Sequence, residues 1–217
     1  MAYTGEVTVG GRPDVRTLPT LVVTKAAVGP MDNNAYLLEC RVTGERCLVD
    51  AANDPETLLR LIGDRPLGLV VTTHRHGDHW QALGEVVAAT RARTAAGRVD
   101  APAIPVPTDE PLDNGDELRV GDVRLSVIHL AGHTPGSVAL RYDDPDGSPH
   151  LFTGDSLFPG GPGKTGNPRD FTSLMDDLEA KVFGPLPDET WVYPGHGKDT
   201  TLGVERPHLG EWRARGW

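Results

Sequence analysis

Four potential metal ligands crowd into six residues, His74-Arg75-His76-Gly77-Asp78-His79, directly after the apolar run 68–73. That density cannot be one face of a helix. It reads as a loop leaving the end of a strand, where a rigid sheet can hold side chains around an ion. Further on stand His133 in Ala131-Gly-His-Thr-Pro-Gly136, Asp155 in Phe152-Thr-Gly-Asp-Ser156 and His196 in Tyr193-Pro-Gly-His-Gly197. Neutral imidazoles and carboxylates suit zinc and its first-row neighbours, with iron and manganese also accepted. Two divalent ions, zinc first among them, are the expected cofactors. The chemistry they imply is attack of an activated water on a polarised carbonyl.

Blander readings compete with this one. A lone His-x-His pair is common on surfaces and in cores. The fuller run after an apolar strand is much rarer, and His133, Asp155 and His196 each adjoin glycine, which permits tight loops. His129 ends an alternating segment, His150 begins one and His208 lies near the C-terminus, so these three are expected to be structural or exposed. The segment Gly160-Gly-Pro-Gly-Lys-Thr-Gly166 invites comparison with a phosphate loop but fails it. The motif needs glycine five residues before Gly163, and Phe158 stands there. A mobile loop is the expectation instead, with Lys164 either solvated or clamping an anionic substrate group. Arg75, between two candidate ligands, faces substrate or forms a supporting salt bridge.

The elements that must position these groups can be read from periodicity. Segments 21–25, 35–40 and 47–51 have strand character, and 68–73 looks like a strand buried on both faces. Asn53-Asp54-Pro55 offers a cap with proline in the first turn, ahead of Leu58, Leu59 and Ile62 at helical spacing. Residues 81–90 look helical. Four prolines (102, 105, 107 and 111) leave 91–117 without a clear element. Strands are expected at 123–130, 137–142, 150–153 and 191–193. Helix is expected over 171–183, capped by Asp170 or Thr172, with Leu174, Met175, Leu178 and Val182 on one face. Cys40 and Cys47 lie symmetrically about Thr43-Gly44, so a two-residue hairpin would set them opposite each other as reduced thiols. Periodicity alone supports a mixed α/β protein with stacked sheets.

At 217 residues the chain suits one domain, 1–217. With 38% hydrophobic and 24% charged residues, it has an ordinary globular composition. A formal charge of −10 argues against a nucleic-acid surface, and the arginines between 91 and 98 read as a solvated helix end. No apolar stretch approaches membrane-spanning length, and the N-terminus lacks a secretory pattern, so cytoplasmic residence is expected. The expected partner is a small-molecule substrate rather than nucleic acid or membrane; oligomeric state is not encoded.

From about Leu21 to His196 the pattern resembles the metallo-β-lactamase superfamily, whose His-x-His-x-Asp-His run and later His, Asp and His are all matched in order. The Thr-Gly-Asp-Ser and Pro-Gly-His-Gly contexts most resemble short glyoxalase II-type hydrolases. The resemblance implies a four-layer αββα sandwich. It places His74, His76 and His133 on one metal and Asp78, His79 and His196 on the other, with Asp155 bridging. Asp78 and Asp155 are then the catalytic carboxylates, and Asp78 orients a hydroxide shared by the two ions. It also implies that Asn33, Asn34 and Tyr36 lie in a loop bordering the site, with Asn34 a candidate substrate contact and Met31 and Trp80 apolar walls.

Thioester hydrolysis of the glyoxalase II type is therefore the leading expectation. Only 21 residues follow His196, so the resemblance does not reach the C-terminal helical domain that supplies much of the glutathione grip in longer enzymes. A mono-iron persulfide dioxygenase is the alternative from another enzyme class. It would use one of His74 and His76 with His133 and Asp155. Lactonase is a third option. An authentic β-lactamase ranks lower because such enzymes normally lack the bridging carboxylate, and a non-enzymatic metal-binding domain ranks last.

Overall fold

Two twisted sheets stack face to face, each with helices on its outer side. The computed structural model describes residues 3–216. The first sheet takes seven strands in chain order: β1 (Asp14–Thr17), β2 (Leu21–Val28), β3 (Asn33–Cys40), β4 (Arg46–Val49), β5 (Leu69–Thr72), β6 (Arg93–Gly97) and β7 (Glu110–Leu112). Its first four strands are antiparallel and its last four parallel. Parallel strands need crossovers, and α1 (Pro55–Ile62) and α2 (Leu83–Thr90) supply two of them.

The second sheet is an antiparallel meander of β8 (Glu117–Val120), β9 (Val123–His129), β10 (Val138–Tyr142) and β11 (His150–Gly154). A short ladder of β12 (Leu157–Phe158) and β13 (Gly161–Pro162) and helix α3 (Pro168–Asp177) then intervene. The sheet resumes with β14 (Trp191–Pro194), parallel to β11, and the edge strand β15 (Thr200–Thr201). Short α4 (Leu202–Glu205) and α5 (Leu209–Arg215) end the described chain.

Strand alternation sorts the apolar residues into three layers of core. Leu38, Val49 and Val71 of the first sheet meet Val127, Leu140, Phe152 and Tyr193 of the second between the sheets. Their sequence neighbours Leu37, Leu48 and Val70 point outward onto Leu58, Ile62, Leu83 and Val86 of α1 and α2. Ile128, Leu151 and Val192 likewise face Leu174, Met175, Leu178 and Trp212. Strands buried on both faces carry continuous apolar runs, which is how β4 and β5 read. The result is the expected helix–sheet–sheet–helix stack.

Several local expectations need correction. Strand β3 begins at Asn33, so Asn33, Asn34 and Tyr36 belong to a strand rather than a loop. Cys40 does not face Cys47: Leu38 does, and the Cys40 N–H donates to the Glu45 carbonyl at 2.9 Å. A two-residue turn would place Thr43 in the left-handed region or require glycine first, whereas here only Gly44 adopts positive φ. Both cysteines are free and buried. Helix α3 starts earlier than expected, capped by Asn167 with Pro168 in its first turn, and it runs on through a π-helical stretch, Leu178–Phe183. Of the arginines between 91 and 98, only Arg91 sits at a helix end. Arg91 caps α2, while Arg93 and Arg98 flank β6 and pair with Glu110 and Asp113. Strand β7, hidden by its prolines, is an edge strand, where Pro111 is tolerated. Of the segment 160–166, Gly161 and Pro162 pair with β12, while residues 163–166 have no regular structure.

Candidate metal centre

The seven expected ligands converge at one end of the stack, where parallel strands of both sheets release their chains. The end of β5 leads into Thr73 and His74, and a 3-10 turn over Gly77–His79 carries Asp78 and His79. Strand β11 delivers Asp155, β14 delivers His196, and the β9–β10 connection carries His133. Carboxyl ends of parallel strands are the usual place for ligands in α/β sheets.

Three overlapping trios form: His74, His76 and His133; His74, His79 and Asp155; and Asp78, His79 and His196. The ligand atoms in each trio lie within 4.8 Å of one another. Asp155 sits between the outer two. Its Oδ1 is 3.3 Å from His79 Nε2, and its Oδ2 is 3.6 Å from His133 Nε2 and 3.5 Å from His196 Nε2. Asp78 Oδ2 closes the far side, 3.3 Å from His196 Nε2.

Hydrogen bonds behind the rings fix which nitrogen points inward. His79 Nδ1 donates to Asp50 Oδ2 at 2.8 Å, His133 Nδ1 to the Lys164 carbonyl at 2.7 Å and His196 Nδ1 to the Met31 carbonyl at 2.8 Å. Thr73 donates its hydroxyl to Asp50 Oδ2 and receives His74 Nδ1 at 3.0 Å. Four rings are thereby held to present Nε2. His76 differs: its Nδ1 approaches His133 Nε2 at 2.9 Å, so Nδ1 is the inward atom.

The interior of this cluster lacks something to bind. His74 Nε2, His79 Nε2 and Asp155 Oδ1 are buried with no hydrogen-bond partner. Orphaned buried polar atoms are costly, and a divalent cation among imidazoles and carboxylates would satisfy all three. The residues present fit the metal. Burial and the neighbouring His79 push His74 well below its ordinary pKa, keeping it neutral as a ligand must be. Burial opposes ionisation of Asp155, yet the neighbouring His196 and His79 imidazoles hold it well below the usual carboxylate range. Asp78 is lowered too, against burial, by the Asn33 amide. Burial works against charge on His79, but Asp50 and Asp155 push it up to about 10. The same carboxylate charge that draws a proton there would draw a cation.

Close approach explains two glycines. A Cβ on Gly195 would overlap Asp155 Oδ1, and one on Gly163 would overlap the Asp155 carbonyl. Any side chain at either position would displace the central carboxylate.

A cavity of about 570 Å³ opens beside His76 and His133, and Arg75 and Lys164 both line it. Asn34 does not. It is buried, and its Nδ2 donates to the carbonyls of Pro194 at 2.9 Å and Gly197 at 3.0 Å, bracing the His196 loop. Its neighbour Asn33 takes the inward role, donating to Asp78 Oδ2 at 2.9 Å. Tyr36 also braces that loop through Pro194. Trp80 packs with the helical layer and donates to the Arg75 carbonyl, so it walls nothing here, and Met31 contributes its carbonyl rather than its side chain. His129, His150 and His208 stay outside the cluster: the first donates its Nε2–H to the Pro135 carbonyl at 2.8 Å, the second stacks on Tyr193, and the third stacks on Trp212.

Two carboxylates escaped the sequence reading. Asp50 follows β4 in the left-handed region and accepts from Thr73 N, Thr73 Oγ1 and His79. Asp100 is fully buried and ties the backbone of Arg75 to Thr134 and Gly136, joining the loops that carry His76 and His133. A lone carboxylate inside the apolar run Leu48-Val-Asp-Ala-Ala52 was the available signal for Asp50.

Comparison with known proteins agrees with this geometry. The chain is 37% identical over 168 residues to a hydroxyacylglutathione hydrolase of Fuscovulum blasticum, covering 76% of this chain and 62% of that protein. It thus spans about three-fifths of the length of such relatives. It is similar to the crystal structure of TTHA1623 in a di-iron-bound form, with 33% identity, a TM-score of 0.67, and coverage of 84% of this chain and 96% of the other. It is also similar to the BLEG-1 B3 metallo-beta-lactamase, with 28% identity, a TM-score of 0.77, and coverage of 86% and 97%. The family model described as the metallo-beta-lactamase superfamily matches residues 28–196, from the end of β2 to the last candidate ligand, and the chain belongs to that superfamily.

Proposed function

We propose that the protein is a metal-dependent hydrolase of the glyoxalase II type that cleaves a thioester using two divalent ions. The observation that carries this reading is the pair of three-residue ligand sets, His74–His76–His133 and Asp78–His79–His196, with the Asp155 carboxylate between them. Bound there, the cations would supply an activated water at neutral pH and a Lewis acid for the carbonyl. Zinc suits the donor set, as do iron and manganese.

The chain's own residues do the rest. Asn33 fixes Asp78 Oδ2, which leaves that carboxylate placed to orient the attacking water. Asp50, Thr73 and the carbonyls of Lys164 and Met31 hold the imidazoles in position before substrate arrives. In the net reaction the water oxygen forms a bond to the acyl carbon as the C–S bond breaks. The thiolate takes up one proton of that water, and the other is released with the carboxylate product. The adjoining cavity accommodates a small-molecule substrate, with Arg75 and Lys164 on its walls.

A one-iron persulfide oxygenation would leave the Asp78–His79–His196 set without use, although Asn33 and Asp50 brace that set. Elemental analysis combined with a panel of thioesters, lactones and glutathione persulfide tests the proposal. Two metals per chain with chelator-sensitive thioester cleavage is the expected result. One iron with oxygen uptake on persulfide, or thioester cleavage that survives full metal removal, overturns it.

A further inference from the structure

The cavity beside the centre carries a charge opposite to that of the chain. The protein has a formal charge of −10, yet Arg75, Lys164 and Arg169 all line this one cavity of about 570 Å³. The lining carboxylate, Asp170, already accepts from Asn167 Nδ2 at 2.8 Å. Several exposed arginines elsewhere are paired, as in Arg65–Glu39, Arg98–Asp113 and Arg213–Glu179. Among the described residues, the side chains of Lys164 and Arg169 make no hydrogen bond or ion pair. Arg75 reaches only Asp100, at 3.9 Å, and the oxygens of that carboxylate are already taken by Arg75 N, Thr134 and Gly136. Its guanidinium therefore keeps donors for something else.

We propose that Arg75 and Arg169 are specificity-determining residues that select substrates bearing two or more oxyanion groups remote from the scissile carbonyl. The inference rests on the hydrolytic reading above and names its substrate class. Guanidinium forks match carboxylate and phosphate oxygens in two-point contact, and both groups stand on the wall of a cavity that also includes His76 and His133. Contacts distant from the reacting carbon bind ground state and transition state alike, so they act on KM more than on kcat. The Gly-Lys-Thr-Gly stretch that fails as a phosphate loop finds a place here: it carries Lys164 to the cavity and leads into α3, which carries Arg169.

The test compares acetyl thioesters of N-acetylcysteamine (neutral), glutathione (carboxylates) and coenzyme A (phosphates) on the metal-loaded protein. The anionic thioesters should be preferred, with the preference weakening as salt rises. Arg169→Gln and Arg75→Gln should each lower the anionic-to-neutral ratio of kcat/KM about 10-fold, through KM, as expected for loss of one charge-assisted contact. The glutathione and coenzyme A arms decide which oxyanion the wall reads. Calorimetric titration of metal-stripped protein with free glutathione, coenzyme A and neutral pantetheine supplies a readout independent of turnover. Anion binding that Arg169→Gln weakens, with no thioester cleaved, keeps the anion wall and removes the thioester reading. Equal binding of charged and neutral probes, or an unchanged ratio in both variants, overturns the inference.

Discussion

Replacing Asp50 by asparagine should cripple the Asp78–His79–His196 set without touching any of its three members. The Asp50 carboxylate accepts three hydrogen bonds, from Thr73 N at 2.7 Å, Thr73 Oγ1 at 2.8 Å and His79 Nδ1 at 2.8 Å. An asparagine offers one acceptor oxygen and one NH2. If the oxygen keeps His79, the NH2 opposes the Thr73 N–H. If the amide flips, the NH2 faces His79 Nδ1, which must then accept, and the proton moves to Nε2, where a metal could not bind. The lost charge-assisted contact is worth about 1.5–3 kcal/mol, or roughly 10- to 100-fold in metal affinity. Competition with a chromophoric chelator, followed by elemental analysis, should show the second ion released at far lower chelator concentration than in the parent protein. The melting temperature should fall by about 4–8 °C, from roughly 2 kcal/mol of lost hydrogen bonding. A purely structural role would lower the melting temperature and leave both metal affinities equal. Two ions bound at parental affinity in Asp50→Asn would refute the reasoning.

Three further outcomes follow from other parts of the molecule. Asp155→Ala should lose occupancy of both ions and at least about 100-fold in kcat; two retained ions with normal turnover would show that this carboxylate does not join the sets. Lys25, fully buried, donates to the Gly5 and Gly197 carbonyls and pairs with Asp199 at 2.6 Å. Lys25→Met leaves that carboxylate buried without its cation and should cost about 3–5 kcal/mol in urea unfolding; a loss under about 1 kcal/mol would contradict the burial argument. His150 is pushed down to about 4 by burial, with Arg16 adding to the effect. The unfolded chain therefore binds a proton on this ring that the folded one resists, and stability falls as pH drops from about 6.5 to about 4. At full effect this is up to about 3 kcal/mol, so unfolding curves of His150→Gln should show a shallower acid loss than the parent. Parallel curves would count against it.

The candidate ligand cluster was legible because each member sits in a short, chemically distinctive context at a strand end, and most strands and α1 needed only alternation and a helix cap. What stayed hidden has identifiable causes. Strand β6 is short and built largely of small residues, and β7 lies among prolines that its edge position tolerates. Asn34 and Asn33 are adjacent and chemically identical, so only strand parity could say which faces the centre, and that parity depends on where β3 begins. Asp100 lies far in sequence from the loops it joins, and nothing local distinguishes it from a surface aspartate. The cap of α3 was readable, since Asn167-Pro168 repeats the Asp54-Pro55 arrangement of α1, but the apolar periodicity starts only at Phe171.

Candidate ligands from opposite sheets meet at the centre, with His74, His76, Asp78 and His79 from one half and His133, Asp155 and His196 from the other. A cation seated there would therefore cross-link the two halves of the sandwich as well as act as a reagent. Resistance to heat becomes a function of free metal concentration, growing as RT ln(1 + [L]/Kd), or about 2.7 kcal/mol per site at a hundredfold excess over Kd. A cell that starves this protein of metal would then weaken the folded molecule along with its chemistry.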